Sequence, residues 1–305
     1  MITILDGGMG RELQRLGAPF RQPEWSALAL MEAPEFVGQA HDRFAMAGAE
    51  VITTNSYAIV PFHIGAERFT AEGLKLAKRA GEQARLVADR HDIKVAGSLP
   101  PSMGSYRADL FDAKAGTAIV STLIEGLEPF VDIWLAETLS CLDEAQLVGE
   151  LLARDVRPLW LSFTLNDEVP AQLRSGESIA DAARLARAQG AAAILFNCSA
   201  PEVMAEAVQM ARDALQGSEI RIGVYANGFA HSEAAVGANE GLRDIRADLG
   251  PNRYLAFATQ WVASGASIIG GCCGIGPEHI SALADGLKED HYEAAFGRIG
   301  ERVAP

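Results

Sequence analysis

The chain has 305 residues, 49% hydrophobic and 22% charged, which is enough to bury one large core and is a size that single α/β barrels commonly reach. Its formal net charge of −14 at pH 7 excludes nucleic acid and anionic membrane surfaces as partners, since either would need a basic face. With 4 cysteines, no charged-then-apolar leader and no apolar run long enough to span a bilayer, the composition points to a reducing, cytoplasmic setting.

Short apolar runs alternate with helical patterns along the whole chain. Residues 2–5 read as a first strand ending in Asp6-Gly7-Gly8-Met9-Gly10, and 35–47 as a helix after Pro34. Residues 51–54 give the second strand and 66–89 a long helix. The third strand, 93–99, runs into Pro100-Pro101 and precedes a helix over 113–130. The fourth, 132–136, closes at Glu137-Thr138, with a helix opening at Cys141. Strands at 158–163, 192–196, 220–225 and 266–269 follow, with helices at 178–189, 201–215, 254–264 and 278–287. Eight such units are the count for a closed, single-domain (β/α)8 TIM barrel, here residues 1–288. Residues 289–305, charged and interrupted by glycine, read as a peripheral tail.

In such a barrel the chemistry sits at the C-terminal ends of the strands. Cys272 and Cys273 fall there, between Gly270-Gly271 and Gly274, and Cys198 ends the apolar run 191–196 about two βα units earlier. Neighbouring cysteines close only a strained disulfide ring, whereas two thiolates on a glycine-flexible turn can both reach one metal ion. With Cys198 they make three thiolates and an open fourth position, the pattern of a catalytic rather than a structural Zn²⁺ site.

Other polar residues share that rim: Asp6, Thr54, Asn55, Glu137, Asn166, Asp167, Asn197 and Asn227. Lysine is missing from it, which disfavours Schiff-base chemistry. Glu137 ends an apolar strand, where an acid needs either a cationic partner such as an ammonium group or a backbone hydrogen bond. Asp6 before Gly7-Gly8 either caps a turn or belongs to a loop whose N–H groups meet a ligand carboxylate. The spacing of Gly7, Gly8 and Gly10 does not fit the dinucleotide fingerprint. Cys141 reads as a buried small hydrophobe, and His41, His63, His91, His231, His279 and His291 as structural or solvated.

Asp6-Gly7-Gly8-Met9-Gly10, Trp25-Ser26-Ala27, Thr53-Thr54-Asn55-Ser56-Tyr57, Glu137-Thr138, Asn197-Cys198 and Gly270-Gly271-Cys272-Cys273-Gly274 occur in the order seen in the homocysteine S-methyltransferase family, which the chain resembles from residue 2 to about 287. The resemblance implies a zinc barrel that methylates homocysteine to methionine, with Cys198, Cys272 and Cys273 as ligands. It further implies that Glu137 holds the amino group of the acceptor and the Asp6-Gly7-Gly8 loop its carboxylate end, with Asn55 also binding substrate. Trp25 and Tyr57 match positions near the reaction centre, where aromatic faces favour a cationic methyl donor.

The implied chemistry is consistent with the thiol cluster. A free alkyl thiol is mostly protonated at neutral pH, and metal coordination supplies the thiolate nucleophile without a general base. The resemblance implies S-methylmethionine, S-adenosylmethionine or betaine as donor, and the short stretch after the barrel favours the S-methylmethionine branch. Ser98-Leu99-Pro100-Pro101 and Ala226-Asn227-Gly228-Phe229 depart from that branch's usual loops, so another thiol or a selenol acceptor stays open. A non-catalytic thiol-metal or redox-sensing barrel is the alternative, and Glu137 discriminates, because a sensor needs no ammonium-binding acid.

Overall fold

The computed structural model describes residues 1–229 and 244–296, without the side chains of 289–296. His231, the side chain of His291 and the last nine residues of the expected tail therefore lie outside the described residues. Eight parallel strands form the sheet: β1 Thr3–Ile4, β2 Val51–Thr53, β3 Lys94–Leu99, β4 Ile133–Leu139, β5 Leu159–Phe163, β6 Ala193–Asn197, β7 Arg221–Ala226 and β8 Ile268–Gly271. They neighbour one another in sequence order, and β1 pairs with β8. The remaining seam is joined by a parallel bridge between Leu5 and Val51 and by Glu50 N–H on the Ile4 carbonyl at 2.8 Å. The barrel anticipated from the eight βα units is thus closed.

Eleven helices are described: α1 Met9–Arg15, α2 Ser26–Glu32, α3 Pro34–Met46, α4 Pro61–Ile64, α5 Ala66–His91, α6 Ala113–Leu127, α7 Leu142–Leu151, α8 Ile179–Ala188, α9 Met204–Ala214, α10 Pro251–Ser264 and α11 Pro277–Phe296. Local chemistry sets their starts. Proline opens α3, α4, α10 and α11, where its missing N–H costs nothing. Asp112 and Ser178 cap α6 and α8 by accepting from Ala115 N–H at 2.7 Å and Asp181 N–H at 3.1 Å.

The differences from the sequence reading are local. α1, α2 and α4 were not anticipated; a helix that opens on Met9-Gly10 directly after Gly7-Gly8 looks like a turn. β4 runs to Leu139, three residues past the expected end at 136, so that Glu137 and Thr138 lie within the strand. The residues at 128–130 and 201–203 are short 3-10 segments rather than α-helix. β8 begins and ends two residues later than expected, since Gly270 and Gly271 continue the ladder opposite Tyr225 and Ala226. α11 runs on to Phe296, past the expected end at 287. No described helix is long and apolar enough to cross a membrane.

Strand parity then builds the site. Leu5, Val51, Ala96, Leu135, Trp160, Leu195 and Ile268 share one apolar cluster. Side chains alternate along a strand, so the positions two residues on face the same interior one layer nearer the C-terminal rim. Those positions are Gly7, Thr53, Ser98, Glu137, Ser162, Asn197 and Gly270. An apolar plug thus gives way to a polar layer and then to the cysteines.

Candidate active site

Above that layer lies a cavity of about 200 Å³, whose wall includes every site residue expected from sequence: Asp6, Gly7, Gly8, Trp25, Asn55, Tyr57, Glu137, Cys198, Cys272 and Cys273. The Sγ atoms of Cys198, Cys272 and Cys273 lie within 4.8 Å of one another, and those of Cys198 and Cys272 are 2.9 Å apart. Tetrahedral coordination at about 2.3 Å per metal–sulfur bond places sulfurs roughly 3.8 Å apart, so small rotations bring this donor set onto one ion. Among the described residues this is the group of three or more such side chains that fits a metal.

The thiol cluster is electrostatically lopsided. Hydrogen bonds from Cys198 and Cys272 hold the Cys273 thiol well below its ordinary range. Cys272 is pushed well above its ordinary range by its contacts with Cys198 and Cys273. Cys198, though drawn down by its bond with Cys272, is raised to about 12 by Cys273 and by burial. A buried pocket resists a second and third negative charge unless a cation joins it, and that is the condition under which a metal binds strongly.

Two strained residues frame the cluster. Thr138 and Cys198 have φ of 60° and 53°, in the left-handed region that non-glycine residues seldom occupy. Both are held through Asn197. Its Oδ1 accepts from Thr138 N–H at 3.0 Å and from Ser162 Oγ at 2.8 Å, and its Nδ2 donates to Thr138 Oγ1 at 2.8 Å. The side chain before the metal ligand therefore fixes the turn after Glu137. Asn197→Ala leaves the buried Thr138 N–H without its acceptor and should destabilise the fold by about 2–4 kcal/mol. Urea unfolding checks this, and a loss below about 1 kcal/mol would remove the clamp from the account.

Glu137 is buried, with Oε1 accepting from Ser98 Oγ and Oε2 from Tyr225 Oη at 3.2 Å. Burial raises its pKa to about 7 despite those bonds, with the Cys198 charge adding to the rise. Asp6 is also raised to about 7, by burial, against hydrogen bonds from Thr53 N–H at 2.7 Å and Thr53 Oγ1 at 3.0 Å. Asp6 thus ties the start of the Gly7-Gly8 loop to β2. Gly8 gives its N–H to the Ile275 carbonyl at 2.8 Å, and a Cβ there would stand 2.6 Å from the Cys272 carbonyl. Only glycine lets the two loops meet this closely. Asn55 Nδ2 donates to the Ser26 carbonyl at 3.0 Å, linking β2 to α2.

Trp25, held at φ 49°, packs edge-on to Phe20 with ring centroids 5.8 Å apart. Tyr57 Oη is 2.6 Å from Ser105 Oγ. The sequence reading missed Tyr106, Tyr225, Phe229 and Arg11, which also line the cavity. Tyr225 had a usable signal, being two residues beyond the inward-facing Gly223 at the end of β7. Tyr106 and Phe229 had none, since each lies in a loop. Of the other rim candidates, Asp167 binds Arg174 at 3.1 Å and Ala200 N–H at 2.8 Å, and Asn227 accepts from Phe229 N–H at 3.1 Å, so both brace loops.

Cys141 is buried, and burial raises its thiol to about 12, as befits a small core residue. His41 is wholly buried, and burial lowers it to about 4, which keeps the ring neutral. His279 joins the start of α11 to the Leu249 carbonyl at 3.0 Å. His63 binds the Pro23 carbonyl at 3.1 Å and also reaches the cavity wall.

Comparison with known proteins gives the same picture. The profile of homocysteine S-methyltransferase matches residues 3–287. Homocysteine S-methyltransferase of Escherichia coli (strain K12) is 31% identical over 92% of this chain and 94% of its own length. Selenocysteine methyltransferase of Astragalus bisulcatus is 28% identical over 92% of this chain and 91% of its own. The metallated form of the homocysteine methyltransferase MmuM from Escherichia coli superposes with a TM-score of 0.78 at 29% identity, covering 93% of this chain and 96% of that one. With the profile match spanning nearly the whole barrel and the three cysteines converging on its rim, the chain belongs to the homocysteine S-methyltransferase family.

Proposed function

We propose that this protein transfers a methyl group from a cationic donor, S-methylmethionine first among the candidates, to the thiol of homocysteine, giving methionine. The observation that carries the reading is the convergence of three cysteine sulfurs with a buried carboxyl, Glu137, in one small cavity. Cys198, Cys272 and Cys273 would hold Zn²⁺. When bound, the metal deprotonates the acceptor thiol and keeps it a nucleophile at neutral pH.

The chain's own residues do the rest. Glu137, fixed by Ser98 and Tyr225, receives the acceptor's ammonium group, which provides the cationic partner its burial lacks. Asp6 anchors the Gly7-Gly8 loop to Thr53 and Asn55 ties the chain just after β2 to Ser26, so that the acceptor's other end meets a fixed wall. Trp25 and Tyr57 offer aromatic faces to the donor cation. Sulfur, methyl and leaving group then need only alignment, which a closed cavity supplies.

The experiment is methionine formation from homocysteine by zinc-loaded protein with S-methylmethionine, S-adenosylmethionine and betaine in separate tubes. Product is expected from S-methylmethionine. No product from any donor, with zinc measured at one equivalent, would refute the reaction as stated. The relative that methylates selenocysteine makes a selenol the second acceptor to include.

A further inference from the structure

Any acceptor or donor of this reaction that is an amino acid brings a carboxylate into the cavity, and the wall must receive it. The acids Asp6 and Glu137 and the thiolate-bearing cluster make that wall electronegative. Several of its neutral donors are already committed within the protein. Gly8 N–H goes to Ile275, Asn55 Nδ2 to Ser26 and Tyr225 Oη to Glu137. Among the described lining residues, one guanidinium and no ammonium side chain occurs, that of Arg11.

We propose that Arg11 is the carboxylate-receiving residue of this cavity, a role that rests on the methyl-transfer reading above. Arg11 is half-buried and sits in the first turn of α1, directly after the glycine loop that packs on Cys272. Its Nη1 donates to Gln14 Oε1 at 3.0 Å, one turn further along, which orients the planar head. A guanidinium presents its donors as a rigid fork that matches a carboxylate in two parallel bonds. A sulfonium or quaternary ammonium is repelled from that position, so the cation of the donor is directed to the aromatic wall and a carboxylate to Arg11.

The carboxylate has two sources, the acceptor and the donor, and paired ligands separate them. Calorimetry on zinc-loaded wild type, Arg11→Met and Arg11→Lys would use homocysteine against 3-aminopropane-1-thiol, and S-methylmethionine against (3-aminopropyl)dimethylsulfonium. Each pair differs by the carboxylate alone. One carboxylate ligand is expected to bind Arg11→Met roughly ten- to a hundredfold more weakly than wild type, with Arg11→Lys between, while its decarboxylated counterpart binds all three alike. The ligand that shows the loss names the source. Equal losses for both members of a pair, or no loss for either pair, would overturn the assignment, and melting curves show whether the variants are folded. If wild type binds neither amino acid, the methyl-transfer reading itself falls and takes this role with it.

Discussion

Cys273→Ser is expected to fold as wild type does, to bind Zn²⁺ roughly a hundred- to a thousandfold more weakly and to lose methyl transfer altogether. The magnitude follows from zinc sites whose four ligands together are worth about 10–16 kcal/mol, or about 3–4 kcal/mol each if shared equally. Of the three cysteines, Cys273 is the one whose hydrogen bonds hold its thiol below the ordinary range, which favours the thiolate form that binds a metal. It is also less buried than Cys198, so a serine hydroxyl there leaves the barrel core untouched. Competition with a chromophoric chelator gives the affinity, and a thermal melt shows the fold. Full activity with weakened metal binding would separate the cysteines from the chemistry and sink the mechanism.

Glu137→Gln should keep the metal and yet weaken homocysteine binding by about 1.5–3 kcal/mol, roughly ten- to a hundredfold. Glutamine preserves the shape and one acceptor for Ser98 or Tyr225, so the change removes charge rather than volume. 4-Mercaptobutanoate, which lacks the amino group, should bind both proteins equally. Were the variant to lose affinity for that analogue as well, Glu137 would be holding the site together instead of recognising an ammonium group. An unchanged affinity for homocysteine would remove the feature that separates an enzyme from a thiol-based sensor.

The barrel was legible because its signal is repetitive. Each βα unit carries an apolar run and a helical pattern, and eight runs in a row overdetermine the closure even when single strand ends are misplaced by two or three residues. The thiol site was legible for a related reason: Cys198 and Cys272 each stand just past an apolar run, and a closed barrel delivers all such positions to one rim. Glu137 was legible by its cost, an acid where the neighbours are apolar. Arg11 and Tyr106 were not. Arg11 hides in a short helix that follows directly on Gly7-Gly8, and Tyr106 stands in a left-handed conformation inside a loop whose path no periodicity describes. Asp6 stood out in sequence, but its bonds to Thr53, a residue 47 positions away, carried no signal there.

The contact of Gly8 with the Cys272 carbonyl carries a consequence for the order in which the molecule comes together. The metal loop is shaped by a segment almost the full length of the chain away, and contacts between such distant segments pay the largest loop-closure entropy and form late. A ribosome must therefore release nearly the entire polypeptide before three sulfurs face one another. Until then Cys198 stands apart from the adjacent pair Cys272 and Cys273, and the set of three sulfurs is incomplete.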